Sequence, residues 1–226
     1  MTIMTRSTST NNGGMPGSSV VYVIDDDEQL RLSLGGLLRS VGHRVELFET
    51  PLEFVNFGRE DVPSCLILDV RLRGENGLAF QRSVTKLVPN IPILFISGYA
   101  DVEMSVKAMK AGAMDFFTKP FREQEMLDAV AQALIRDADR LAADSALTEL
   151  RQRFDALTPK EHEVLEFVLS GLLNKQIADE MHVSEITVKL HRGHVMRKMG
   201  VMSVVDLVRD AQRLGVEPRK PPRRRL

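Results

Sequence analysis

The chain has 226 residues, of which 43% are hydrophobic and 27% charged, with a formal net charge of −1. This is the composition of a globular protein with room for one large domain or two small ones. A single cysteine, Cys65, excludes an internal disulfide and fits a reducing compartment, and no apolar run reaches the length of a membrane span.

Residues 1–18 are rich in Ser, Thr, Asn and Gly and lack the apolar segment of a signal peptide, so they read as a disordered tail on a cytoplasmic protein. Val20 to Ile24 is a β-branched run ending in Asp25, Asp26 and Asp27, the pattern of a buried parallel strand that delivers polar groups at its carboxyl end. Leu30, Leu34, Leu37, Leu38 and Val41 then recur at helical spacing and stop at Gly42. The alternation repeats. Arg44 to Phe48 reads as a second strand, with a helix after Thr50 and Pro51. Cys65 to Leu68 is a third, ending in Asp69, with a helix over Gly77 to Leu87. Ile93 to Ile96 is a fourth, ending in Ser97, with a helix from about Asp101 to Ala111, and Met114 to Phe117 a fifth, ending at Thr118, Lys119 and Pro120. Such β-α units imply an α/β doubly wound parallel sheet with its site outside the carboxyl ends of the strands. Cys65, inside an apolar run, reads as a buried structural thiol.

Those strand ends bring one kind of chemistry together. Asp25, Asp26 and Asp69 repel one another when crowded, and their hard oxygens suit Mg²⁺. Lys119 and Ser97 can receive the oxygens of a phosphoryl group, and Asp69 is the candidate nucleophile that forms an acyl phosphate. The plainer reading is a solvated acidic turn and a surface lysine.

The segments V-I-D-D-D, L-I-L-D-V-R, F-I-S-G and F-F-T-K-P, in that order, resemble the receiver domain of two-component response regulators over about Val20 to Ala133. The resemblance implies a flavodoxin-like strand order of 2-1-3-4-5, Asp69 as phosphoacceptor, and a Mg²⁺ site of Asp25, Asp26, Asp69 and the backbone carbonyl of Arg71. It also implies a switch in which Ser97 moves toward the phosphoryl group and Phe116 changes rotamer. Where the family usually carries a proline, four residues past the acceptor, this chain has Arg73, while Gly77 is retained.

From Arg122 to Phe154 apolar residues continue at roughly helical spacing. Either one helix leaves the receiver, with scope to pair with a second subunit, or two helices meet near Ala142 to Ser145. Thr158-Pro159-Lys160-Glu161 is a helix start, with an N-cap, a first-turn proline and a capping-box glutamate. Val164, Leu165, Val168 and Leu169 follow on one face, a second helix starts near Asn174, and Ser184 caps a third. At about 100° per residue, Val188, Val195 and Met199 fall on one side of this third helix. Ile186, Leu190, Gly193 and Arg197 fall opposite, flanked by Lys189 and Lys198. One side wants a core, and the other offers cations and apolar surface to a DNA major groove. From Ile186 to the end there are eleven Lys and Arg against three acidic residues, so a polyanionic partner fits. His191 and His194 stand three apart, but no cysteine or carboxylate completes a metal site in the sequence, and we read packing or a phosphate contact.

L-T-P-K-E, G-L-L-N-K-Q-I-A and V-S-E-I-T-V-K-L-H resemble the LuxR-type helix-turn-helix domain over about Ala156 to Leu214, and with a receiver in front the chain resembles the NarL/FixJ class. That implies base contacts from Lys189, Leu190 and Gly193, while Lys175, Thr187, Arg192, Arg197 and Lys198 are our phosphate candidates. The domain expectation is a tail at 1–18, a receiver at 19–133, a helical linker at 134–155, an all-α four-helix DNA-binding domain at 156–215 and a basic tail at 216–226. The expected protein is a regulator, not an enzyme. Its partners would be a sensor histidine kinase, promoter DNA, a second copy of itself when phosphorylated, and RNA polymerase. Two alternatives remain at this stage: a phosphorylation-independent DNA-binding protein whose receiver serves dimerisation, and a Mg²⁺-dependent aspartyl phosphatase.

Overall fold

The computed structural model describes residues 19–72, 75–76, 90–98 and 102–219. The chain divides into two compact units, Met1–Leu141 and Ala142–Leu226.

In the first unit β1 (Val20–Ile24), α1 (Glu28–Ser40), β2 (Arg44–Phe48), α2 (Pro51–Phe57) and β3 (Ser64–Asp69) alternate. A short antiparallel pair follows, β4 (Arg71–Leu72) with β5 (Glu75–Asn76), which nothing in the sequence pattern announced. Then come β6 (Ile93–Ser97), α3 (Val102–Lys110) and β7 (Asp115–Thr118). The expected helix over Gly77 to Leu87, together with Arg73, lies outside the described residues. The parallel sheet has the order β2-β1-β3-β6-β7, which is the expected 2-1-3-4-5 arrangement counted over its five strands.

Continuous apolar runs become central strands here because both faces of the sheet are covered. Side chains alternate: Val20, Tyr22 and Ile24 of β1 join Leu66, Leu68, Ile93 and Phe95 in one core, with Phe54 of α2 and Ala108 of α3. Val21 and Val23 join Cys65, Ile67, Leu94 and Ile96 in the other, with Leu34 and Leu38 of α1. Each such fully buried aliphatic contributes about 1.5–3 kcal/mol relative to exposure. Helix α1 starts where Asp27 accepts from the Leu30 amide, and Gly42 beyond its end takes a φ of 91° that a side chain would disfavour.

Helix α4 (Glu123–Asp155) is a single element of 33 residues, so of the two sequence readings the unbroken helix is the one observed. Met126, Ala129, Val130, Ala133 and Leu134 on its early turns belong to the second core of the sheet. Asp137 is buried there with its charge fully engaged. Its Oδ2 accepts from Arg59 Nη2 at 2.8 Å and from the Ser64 amide at 2.9 Å, and its Oδ1 from Arg140 Nε at 2.8 Å. Residues 142–149 of the helix are exposed.

The second unit holds α5 (Pro159–Leu169), α6 (Asn174–Met181), α7 (Glu185–Met199) and α8 (Val204–Arg213). Thr158 caps α5 in a complete capping box with Glu161, as the sequence predicts. Val164, Leu165, Ile177, Val188, Val195, Met199 and Leu207 form the core, joined by Leu150 from the end of α4. Between α6 and α7 the chain turns through His182 at φ 54°, and Ser184 accepts from the Thr187 amide to start α7. Among the described residues no helix is long and apolar enough to cross a membrane.

Candidate phosphoacceptor pocket and nucleic-acid interface

Sheet register places the first site. Ile24 pairs with Leu68, so Asp25 and Asp69 stand at the same level of adjacent strands. Ile96 pairs with Asp69, Thr118 pairs with Ser97, and the Lys119 amide donates to the Ser97 carbonyl at 2.8 Å, which sets Lys119 down beside the carboxylates. Lys119 Nζ donates to Asp69 Oδ2 at 2.6 Å and to Asp25 Oδ2 at 2.8 Å. Carboxylate oxygens of Asp25, Asp26 and Asp69 lie within 4.8 Å of one another. The residues expected at the strand ends are thus brought together.

Asp25 and Ser97 are completely buried and Asp69 almost so. Burial pushes the Asp25 carboxyl above its ordinary value, against the hydrogen bonds from Lys119 and from the Asp27 amide. Burial works against the Lys119 ammonium too, but its bonds to Asp25 and Asp69 prevail and hold it above the usual lysine value. The remaining Asp69 oxygen, Oδ1, accepts from the Arg71 amide at 2.8 Å, so the turn carrying Arg71 is tied to the carboxylate. Phe116 is half-buried with its ring 6.3 Å from that of Phe95. Sequence reasoning missed Arg31, one turn into α1, whose guanidinium donates to the Asp25 carbonyl and which lines a cleft with Asp26, Asp27 and Glu49.

The second site is the outward face of α7. Val188, Val195 and Met199 are buried, whereas Ile186 is 79% and Leu190 57% exposed, with Lys189, Gly193 and Arg197 also exposed. This is the division that helical periodicity predicts. Lys175 is exposed on α6, and Arg192 Nη1 donates to Asn174 Oδ1 at 2.9 Å, which ties the two helices together at their outer edge. The Thr187 hydroxyl lies 2.8 Å from Ser184 Oγ, at the cap of the helix. Leu173, 69% exposed just before α6, adds apolar surface that the sequence did not single out.

Two expectations are corrected. Lys198 does not join the outward cations. Its ammonium meets Glu161 Oε2 at 2.6 Å and the Ala156 carbonyl at 3.1 Å, because Glu161 is a buried carboxylate that needs a counter-charge. That bond, with the Thr158 amide beside it, depresses the Glu161 carboxyl to about 2. The second correction concerns His191 and His194, which do have a carboxylate neighbour: Glu161, on a different helix, brings an oxygen within 4.8 Å of a nitrogen from each.

Residues 21–131 match the family model of the response regulator receiver domain, and residues 155–211 that of bacterial regulatory proteins of the luxR family. Nodulation protein W of Bradyrhizobium diazoefficiens is 47% identical over 198 residues, covering 88% of this chain and 87% of that one. The chain is a response regulator of the NarL/FixJ class. Response regulator protein TodT of Pseudomonas putida is also 47% identical, over 87% of either chain. The solved structure of response regulator StyR superposes with a TM-score of 0.79 at 42% identity, covering 87% of this chain and 99% of that one. The regulator therefore couples a receiver to a LuxR-type DNA-binding domain, and the kind of partner its two halves imply is a kinase for one and DNA for the other.

Proposed function

We propose that this regulator accepts a phosphoryl group on Asp69 from a sensor histidine kinase, and that the modification switches its dimerisation and its binding to promoter DNA. The observation that carries the reading is the Lys119 ammonium bridging Asp69 and Asp25 while Asp26 lies alongside. An oxygen of the Asp69 carboxylate forms the new P–O bond as the bond from phosphorus to the kinase histidine nitrogen breaks, the electron pair leaving on that nitrogen. Lys119 and the Ser97 hydroxyl hold the remaining phosphoryl oxygens. Three crowded carboxylates facing one ammonium keep a negative excess, and that donor set fits Mg²⁺ held by Asp25, Asp26, Asp69 and the Arg71 carbonyl. The ion would neutralise charge on the transferring group. The added charge of about −1.5 to −2 biases the surface running from Ser97 to Phe116.

In this reading the receiver spans residues 19–133, the linker 134–155 and the DNA-binding domain 156–215, with tails at 1–18 and 216–226. Lys189, Leu190 and Gly193 face base edges, while Lys175, Thr187, Arg192 and Arg197 position the domain on phosphates. Dimerisation sets two copies of α7 on half-sites about one helical turn apart. We read the protein as a cytoplasmic regulator rather than an enzyme, with RNA polymerase as a further partner.

The test is modification by acetyl phosphate with Mg²⁺, followed by intact mass. The wild type gains one phosphoryl group, and Asp69→Asn gains none. Full labelling of Asp69→Asn would refute the assignment.

A further inference from the structure

The DNA-binding unit carries a cluster that phosphotransfer and DNA contact do not use. His191 and His194 lie on α7 at i and i+3, and Glu161 lies on the first turn of α5. On the helical wheel the two histidines occupy the flank between the buried stripe of Val188, Val195 and Met199 and the outward face of Leu190 and Gly193. One ring nitrogen from each and one Glu161 oxygen are all within 4.8 Å of one another. His194 Nδ1 is 3.4 Å from Glu161 Oε1. Two donors on a tetrahedral ion, each at about 2.0–2.1 Å, stand about 3.3–3.4 Å apart, so this pair already has the required separation. The third donor, a His191 ring nitrogen, lies within 4.8 Å of both.

Two further observations point the same way. His191 Nδ1 is buried and makes no hydrogen bond among the described residues, an unmet demand in a part of the protein where polar atoms are otherwise paired. The Glu161 carboxylate is also divided between tasks. Its Oε2 accepts from Lys198 Nζ at 2.6 Å and from the Thr158 amide at 2.8 Å, while Oε1 is turned to the imidazole of His194. The cap and the lysine thus fix the carboxylate with its free oxygen toward the histidines, as an orienting hydrogen bond does for a metal ligand.

We propose that Glu161, His191 and His194 form a transition-metal site that ties α7, the helix offered to DNA, to α5. Two imidazoles and one carboxylate suit borderline ions such as Zn²⁺, and three protein ligands leave a fourth position for water. The Lys198 ammonium withdraws charge from Glu161, so the affinity is modest. The ion adds a second polar link between helices already joined by apolar packing and by the Lys198–Glu161 pair, so binding raises the thermal midpoint of this unit.

The test uses the full-length, untagged protein in saturating Mg²⁺, with Co²⁺ as the spectroscopic probe and Zn²⁺ as competitor. A site with two imidazoles and few ligands gives Co²⁺ an intense visible band, whereas an all-oxygen six-coordinate site in the receiver gives only a weak one. We expect one such band per chain, displaced by Zn²⁺. It should be weakened by about tenfold or more in affinity in His191→Gln and in His194→Gln, and remain unchanged in His182→Gln. His194 is one-third exposed, so His194→Gln carries the test if His191→Gln fails to fold, and far-UV circular dichroism reports on both. Absence of the band at millimolar Co²⁺ would overturn the proposal, as would a band that survives both substitutions.

Discussion

Lys119 Nζ stands 2.6 Å from Asp69 Oδ2, with the Asp25 carboxylate 2.8 Å away on its other side, so a single ammonium balances two carboxylates that are almost wholly buried. Replacing it leaves those charges facing each other without a counter-ion. Lys119→Met should cost about 3–5 kcal/mol of receiver stability in chelator, the range for breaking a buried pair by removing one partner. Mg²⁺ should restore more stability to the variant than it adds to the wild type, because a divalent ion can replace the lost charge. Urea denaturation with and without Mg²⁺ checks this, and an equal Mg²⁺ increment in both proteins would contradict it.

Asp137 makes a similar bargain at the other end of the sheet, where Arg59 and the Ser64 amide converge on one oxygen and Arg140 holds the other. In Asp137→Ala, Arg59 keeps a mostly buried guanidinium without its partner, and the Ser64 amide loses its acceptor. The expected loss is about 3 kcal/mol. Both tyrosines, Tyr22 and Tyr99, lie in the first unit and the chain has no tryptophan, so tyrosine fluorescence follows the unfolding of that unit alone. If the ion pair carries the effect, the double variant Arg59→Met/Asp137→Ala will be more stable than Asp137→Ala itself, since it no longer buries an unpaired cation.

What could be read from the sequence was whatever lies within one element. Apolar runs ending in Asp25, Asp69 or Ser97 disclosed both the strands and the polar residues at their ends, since a strand buried on both faces must be apolar until it emerges. The stripe of Val188, Val195 and Met199 disclosed the buried side of α7 through its period. Partnerships between elements stayed hidden. Lys198 falls at the edge of the basic face, and only Glu161, 37 residues earlier in the chain, turns it inward. Asp137 sits in a stretch with Asp139 and Asp144, and nothing local marks it as the one that meets Arg59, 78 residues upstream. The continuity of α4 was open for a related reason. Its exposed middle, residues 142–149, carries neither a core-facing stripe nor a Pro or Gly to end the helix.

Cys65 is buried near the start of β3, and burial, with the nearby Asp137 charge adding to it, drives its thiol far above the ordinary cysteine value. The native protein should therefore resist iodoacetamide at pH 8 and become alkylated only in denaturant. The linkage has a definite sign. The folded state keeps the proton while the unfolded thiol releases it near 9.0, so this contribution to stability is complete below pH 9.0 and declines as pH rises beyond it. Cys65→Ala should remove that decline, measured by denaturation at pH values on either side of 9.0. Rapid alkylation under native conditions would place the thiol outside the core.

Gly193 is the one glycine inside α7, and a Cβ built on it would meet nothing within 4 Å. Glycine in a helix interior costs about 1 kcal/mol relative to alanine, through the extra freedom that the unfolded chain gives up. With no clash to offset that gain, Gly193→Ala should stabilise the DNA-binding unit by about 1 kcal/mol, raising the midpoint of its thermal unfolding followed by far-UV circular dichroism. The same variant shows what the glycine does for DNA binding. If the bare backbone lies against the groove, the added methyl lowers promoter affinity although the protein itself has become more stable. If the position is simply tolerated, affinity is unchanged. A loss of thermal stability in Gly193→Ala would mean that a neighbour crowds this face of α7 after all.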